Sequence, residues 1–422
     1  MNRILRSSVT EAGGGAAAIK VQVAVKRTRW DVVALGIAAG VMIGVAVGKV
    51  PPAIGLISDE FTLDRVTAGW LASIFFAFGA VMGALTGFAG GRIGERMLLL
   101  AGLAVLAIGG AIGAASGSGG MLLALRVIEG FGFAAIAVAA PKLTVDAATE
   151  EDRDLALGIW SAYMPAGMAL SMVLAPALLP AIGWRGMWLV GAAATVAVAV
   201  LAFAGTSRRR WPDQPARAAN APLDWAGARA TVSRTVLWLY AGSFVLFTVQ
   251  WFAIAAWLPT FLTETQGRSG LAAALFSALV VAVNVVGNVA GAWLLHRGVP
   301  RWLLIAAVMI IMAVTGALIL GSFMPDDGKI PLAIIFSAGS GLLPAAAFSG
   351  AAVHAPKASL MAMANGIILQ GAAVGMLAGP PLLAAVVGGL GSWADAWWTM
   401  LVCPAIGLGL AAGIYARERK RA

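Results

Sequence analysis

The chain has 422 residues, of which 60% are apolar and 11% charged, against roughly 45–50% and about 25% in soluble domains; the composition argues against a water-soluble fold. Its net charge of +10 comes with a single cysteine, Cys403, inside the last apolar run. A second thiol for a disulfide and ligand-spaced Cys/His sets are missing, which argues against redox and metal chemistry.

In chain order, the first 29 residues hold six basic side chains and Gly13-Gly14-Gly15 but no apolar core of signal-peptide length. They read as a flexible cytoplasmic tail. A helical span needs about 20 mostly apolar residues, and such runs are predicted at 30–55, 66–89, 97–115, 121–142, 156–180 and 187–205. The polar segment Thr206 to Arg234, with Arg208, Arg209, Arg210, Arg217, Arg229 and Arg234, reads as a cytoplasmic linker. Six more spans are predicted at 235–262, 271–295, 302–323, 331–353, 361–387 and 394–415. The expected architecture is an all-α polytopic membrane protein with 12 transmembrane helices. Its domains are an N-terminal tail (1–29), a six-helix bundle (30–205), the linker (206–234), a second six-helix bundle (235–416) and a basic tail (417–422).

Lys and Arg favour the cytoplasmic side of short loops. With both termini inside, only Arg65, Arg185, Arg268 and Lys329 fall outside, and only Lys49 and Arg126 fall within spans away from their cytoplasmic ends, out of 29 basic residues. The positive charge is thus an orientation signal, and nucleic-acid binding is not expected. The halves also look like copies: Arg92 and Arg96 shift by 205 positions onto Arg297 and Arg301, and Trp30 onto Thr235. Parallel repeats of this kind place a solute site at their interface.

Three segments carry a resemblance that covers Trp30 to Arg417. The loop Gly87 to Arg96, with Arg92, Gly94 and Arg96 in register, is similar to the helix 2–3 signature of the major facilitator superfamily. Gly91 stands where that signature has aspartate, and Glu95 where it has a basic residue. RVIEGFG, Arg126 to Gly132, is similar to the family's Arg-x-x-x-Gly-x-Gly element, and Gly167, Ser171, Ala175 and Pro176 form a degenerate version of its glycine-proline motif. The resemblance implies two pseudo-symmetric bundles that alternate access. It makes the loop residues and their copies Arg297 and Arg301 a cytoplasmic gate, and gives the Arg126 position a role in helix 4 structure or proton handling. GKVPPA, with Lys49 two residues before Pro51, and WFAIAAWLP resemble the cyanate and nitroimidazole permease group.

Charges inside hydrocarbon cost about 2.5–3.5 kcal/mol on insertion scales, so they normally face a cavity or a partner. Lys49, near mid-depth, reads either as the cation that attracts an anionic solute or as a lysine snorkelling to the interface. Arg126 and Glu129, spaced i, i+3, read as a structural ion pair or as the coupling site for a proton. Gln250, Trp251, Asn284, Asn288, Asn365 and Gln370 in the second half, and Tyr163 with Trp160 in the fifth span, are candidate solute contacts, packing being the competing reading. His296 and His354 fall at loop edges, where metal binding is not expected. A phosphate loop, a nucleophile and paired carboxylates within spans are absent from the sequence, so no enzyme and no cofactor are expected.

These readings converge on a secondary transporter for a small, anionic solute in the inner membrane, either proton-coupled or facilitative. Its expected partners are that solute, membrane lipids and protons, with the chain acting as a monomer. The alternatives are a drug or metabolite exporter of the same fold and a transporter-like sensor that binds without translocating.

Overall fold

The structure is a computed structural model that describes residues 27–89, 94–206, 224–357 and 360–419. Among these, eleven helices are long and apolar enough to cross a membrane. The fifth, Tyr163–Gly205, has 43 residues, about 65 Å at 1.5 Å per residue, or twice the roughly 30 Å of a hydrocarbon core. It is two spans joined at Gly183, whose φ of 64° and ψ of −179° turn the chain where a side chain would be strained. The described residues therefore hold twelve spans: α1 (Trp30–Phe61), α2 (Arg65–Thr86), α3 (Glu95–Ala114), α4 (Gly119–Ala147), α5 (163–182), α6 (184–205), α7 (Thr235–Gln266), α8 (Gly270–His296), α9 (Arg301–Leu320), α10 (Asp326–His354), α11 (Met361–Leu390) and α12 (Ala394–Glu418).

Helix ends follow local chemistry. Asp64 caps α2 by accepting from the Val66 and Thr67 amides, and Ser118 and Ser269 do the same for α4 and α8. The repeat legible in the sequence is also present in the backbone: Trp30 and Thr235, Phe61 and Gln266, and Arg65 and Gly270 bound equivalent helices 205 residues apart. Span 1 runs past the expected residue 55 to Phe61, because Pro51 and Pro52 sit in the first turn of a new helical segment, Val50–Phe61, where a missing N–H is tolerated.

Within each half, small residues let backbones touch. A Cβ on Gly44 of α1 would fall 2.7 Å from the Gly167 Cα of α5, and one on Gly341 of α10 would fall 2.9 Å from the Gly287 Cα of α8. Between halves, α2 packs along α11, the second segment of α1 packs on α7, and α8 packs on the α5–α6 hairpin. The α2–α11 contact runs toward the terminal face as far as Gly83 and Gln370, and the halves are also sealed together at the face remote from Trp30 and Glu418. There Gly69 lies against the Pro380–Pro381 backbone, Trp257 Nε1 donates to the Pro380 carbonyl (3.0 Å), and Arg65 pairs with Glu264. Nearer the terminal face, α4 packs on α1, α2 and α3, and the last segment of α10 packs on α7, α8, α9 and α11, each within its own half.

Candidate functional site

The first half buries three charged side chains together. Lys49 stands at the joint of the two α1 segments, and Arg126 and Glu129 lie one turn apart on α4. Their exposures are 3%, 0% and 1%. Lys49 Nζ donates to Glu129 Oε1 at 2.9 Å, and Arg126 Nη1 donates to Glu129 Oε2. Stripping an ion of water costs several kcal/mol even after relaxation, so each must gain partners. One carboxylate serves two cations here.

The remaining contacts supply the balance. The Lys49 ammonium lies 4.5 Å from the centre of the Trp188 ring on α6, a cation–π contact strengthened by desolvation. Arg126 donates to the Ala46 carbonyl (2.9 Å) beside the α1 joint and to the Leu71 carbonyl (3.4 Å) on α2, and stacks 4.7 Å from the Phe75 ring centre. Glycines make the room: a Cβ at Gly110 on α3 would lie 3.2 Å from Glu129 Oε1 and 3.7 Å from Lys49 Nζ. The RVIEGFG segment thus has a physical reading. Arg126 and Glu129 pair, Gly130 admits the Phe75 carbonyl, and Gly132 admits the α3 backbone, whose Gly102 oxygen a Cβ would meet at 2.7 Å. Lys49 points into the first half, toward α3, α4 and α6.

The polar residues singled out in the second half fall into separate groups. Trp251 Nε1 donates to Ser337 Oγ (3.2 Å), Asn284 Nδ2 donates to the Ser337 carbonyl (2.9 Å) and Ser340 Oγ (3.2 Å), and Asn288 donates to Asn284 Oδ1 (3.1 Å). This network ties α7, α8 and α10. Gln370 instead crosses to the first half, giving Nε2 to the Ala80 carbonyl (2.9 Å) and taking the Ala84 amide on Oε1 (3.2 Å). Gln250 and Asn365 bury side-chain oxygens that accept no hydrogen bond from the described residues. Tyr163 stacks on Trp160 at 4.5 Å and walls the α1 glycine Gly40.

Of the gate residues, Gly87 lies on the helix that continues α2 to Ala89, Gly94 precedes α3, and Arg92 lies outside the described residues. Arg96 at the start of α3 reaches the end of α6, donating to Thr206 Oγ1 (3.3 Å) and the Phe203 carbonyl (3.4 Å). Arg301, at the matching start of α9, reaches Ser349 on α10 (3.0 Å) and Glu418 at the end of α12 (3.3 Å). Arg297 stacks on Trp293. Glu95, found where the motif has a basic residue, pairs with Lys142 on α4. His354 is buried at the end of α10, 3.6 Å from Glu418. Asp224 caps the short helix Trp225–Val232 through the Gly227 amide (2.7 Å) and pairs with Lys357 (3.2 Å); both contacts hold its carboxyl below the usual range. Among the described residues, no cluster of three or more His, Cys, Asp or Glu side chains is placed to hold a metal ion.

Trp188, Phe75 and Gly110 were not legible as site residues, because each reaches the cluster from a different helix and none carries a charge. The contact of Arg65 with Glu264 was equally hidden: the sequence marks both only as residues beyond span ends.

Comparison with known proteins bears on the family and the fold. The family model described as Major Facilitator Superfamily matches residues 35–380. The arabinose-proton symporter of Escherichia coli K12 is 30% identical over 175 residues, 41% of this chain and 37% of that protein. A 4-hydroxybenzoate transporter of Pseudomonas aeruginosa is 26% identical over 286 residues, 60% of this chain and 63% of that one. The chain thus spans less than two thirds of either curated relative. A crystal structure of a bacterial homologue of the human lysosomal transporter Spinster, inward-facing and unoccupied, matches in fold with a TM-score of 0.69 at 17% identity, over 92% of this chain and 95% of that one.

Proposed function

Because the chain belongs to the major facilitator superfamily, we propose that it is a secondary carrier that moves a small organic anion across an inner membrane by alternating access, with Glu129 taking up the coupling proton. The observation that carries this reading is the buried Lys49–Glu129–Arg126 cluster, in which two cations share one carboxylate. A second anion completes the charge balance, and a proton on Glu129 leaves both cations free to hold it. The name of the 4-hydroxybenzoate transporter, a relative over 60% of this chain, supports a carboxylate as the cargo. Gln250 and Asn365 carry buried side-chain oxygens that would accept a hydrogen bond from an O–H or N–H group of such a solute, not from its carboxylate. Placement beside the cyanate and nitroimidazole permeases rests on Lys49 and Pro51.

Basic residues concentrate at the face carrying Trp30 and Glu418, which in this reading is cytoplasmic. The sealed face is then the outer one, and Arg96 and Arg301 each brace the start of a helix on the inner side. The protein works as a monomer in this reading, with lipid around it. The test is uptake of radiolabelled 4-hydroxybenzoate and other small carboxylates into proteoliposomes under a proton gradient. Lys49→Gln is expected to abolish uptake, and Glu129→Gln to abolish its dependence on the gradient while permitting exchange. Unchanged carboxylate uptake in Lys49→Gln sinks the anion assignment.

A further inference from the structure

Helix α2 is not uniform. Between the α-helical segments Arg65–Ser73 and Ala77–Ala89 it tightens to a 3₁₀ turn at Ile74–Phe76, a feature that in mid-helix marks a hinge or local strain. The two aromatic residues of this turn make different contacts. Phe75 carries the Arg126 guanidinium over its ring, and its carbonyl rests on Gly130 of α4, where no Cβ would fit. Phe76 meets Phe252 of α7 edge-on at 5.1 Å, across the boundary between the halves. The two rings touch each other (5.3 Å) and share Phe133 (5.5 and 5.4 Å). Phe75, Phe76 and Phe252 are all at most 1% exposed.

A continuous line of contacts therefore runs from the Glu129 carboxylate through Arg126, Phe75 and Phe76 to Phe252 in the other half. Arg126 also grips the Leu71 carbonyl, one turn before the tightened segment. We propose that the Ile74–Phe76 turn is the positioning element through which the charge state of Glu129 sets the aromatic contact between the halves. When Glu129 is neutral, Arg126 loses its anionic partner, its hold on Leu71 and Phe75 changes, and Phe76 parts from Phe252. The packed interface then switches between discrete arrangements rather than deforming gradually. Phe76 reaches the charged cluster through Phe75, and Phe252 reaches it through Phe76, so their part is to transmit. This proposal rests on the reading of Glu129 as the coupling carboxylate.

Since Cys403 is the only cysteine, Cys403→Ser gives a clean background for Ala68→Cys. Ala68 is 3% exposed and lies on α2 between the turn and the sealed face. Its reaction with a maleimide in proteoliposomes reports opening of that face. Glu129→Gln is expected to change the labelling rate about threefold or more, within the 0.5–2 kcal/mol typical of coupled sites. With Phe76→Ala the same change at Glu129 should leave the rate unaltered, and Phe76→Tyr, which keeps the ring, should restore the response. If Phe76→Ala does not fold, Phe252→Ala removes the same contact from the other side and must abolish the response equally. A Glu129→Gln effect of equal size with and without the Phe76 ring overturns the relay alone. No Glu129→Gln effect in the Phe76 protein overturns both the relay and the coupling reading beneath it.

Discussion

Arg65 and Glu264, on different halves of the protein, are joined by two hydrogen bonds, Nη1 to Oε2 at 3.1 Å and Nη2 to Oε1 at 3.3 Å. Glu264 also accepts from Trp393 Nε1 at 2.8 Å, and the guanidinium lies 5.2 Å from the Trp393 ring. An exposed ion pair is usually worth about 0.2–1 kcal/mol; the forked geometry and the indoles place this one at the upper end. Glu264→Gln is expected to raise access to the sealed face about two- to fivefold, read as maleimide labelling of Ala68→Cys. The swap Arg65→Glu with Glu264→Arg should recover most of the closure. Raised salt should shrink the effect of the single variant. Equal labelling in the single and swapped proteins would show that the pair does not latch the halves.

The buried cluster makes an ordering of stabilities. Removing Glu129 leaves Lys49 and Arg126 facing each other without an anion, the situation in which broken buried pairs lose about 3–5 kcal/mol. Removing Lys49 leaves Arg126 and Glu129 paired on one helix turn. In detergent, Glu129→Gln should therefore melt well below Lys49→Met, and the double variant, which leaves Arg126 alone without an anion, should lie between them. A Lys49→Met protein less stable than Glu129→Gln contradicts the charge count.

Much of this architecture is legible in the sequence because hydrocarbon imposes it. Apolar runs mark the spans, and the 205-residue offset that carries Arg96 toward Arg301 also carries Trp30 to Thr235 at the helix starts. The joint at Gly183 is visible only as a polar break, since nothing in the pattern shows that the helix turns there. Arg126 and Glu129 are adjacent through helical spacing, but the approach of Lys49 is tertiary, spanning 80 residues. Gln370 belongs to the contact with α2 for the same reason: its hydrogen-bond partners are backbone groups, which carry no sequence signature.

Asp64 offers a pH test outside the membrane. Its carboxylate accepts from the Thr67 hydroxyl (2.7 Å), the Thr67 amide (3.0 Å) and the Val66 amide (2.8 Å), which hold it below the usual carboxylate range, with Thr67 foremost. A depressed carboxylate stabilises the fold above its unfolded value, and that contribution fades as pH falls through the folded one. Asp64→Ala should cost about 1 kcal/mol at neutral pH. The gap between the variant and the parent should close only below roughly pH 4. A gap that stays constant down to pH 3 would rule out the cap as its source.

The network in the second half can be tested by a cycle. Trp251 and Ser337 share one buried hydrogen bond between α7 and α10, while the Ser337 carbonyl and Ser340 hold Asn284 independently. Trp251→Phe deletes the donor but keeps nearly all the packing. Ser337→Ala deletes the acceptor and leaves a buried indole N–H, a loss of about 1–3 kcal/mol. Once the donor is gone the serine hydroxyl has less to lose, so the double variant should be less destabilised than the two single losses added together. A coupling of about 0.5 kcal/mol or more is expected for residues in direct contact, measured by melting in detergent. Strict additivity would mean that the two side chains do not bond in the membrane, and that Trp251 is free to turn toward a solute.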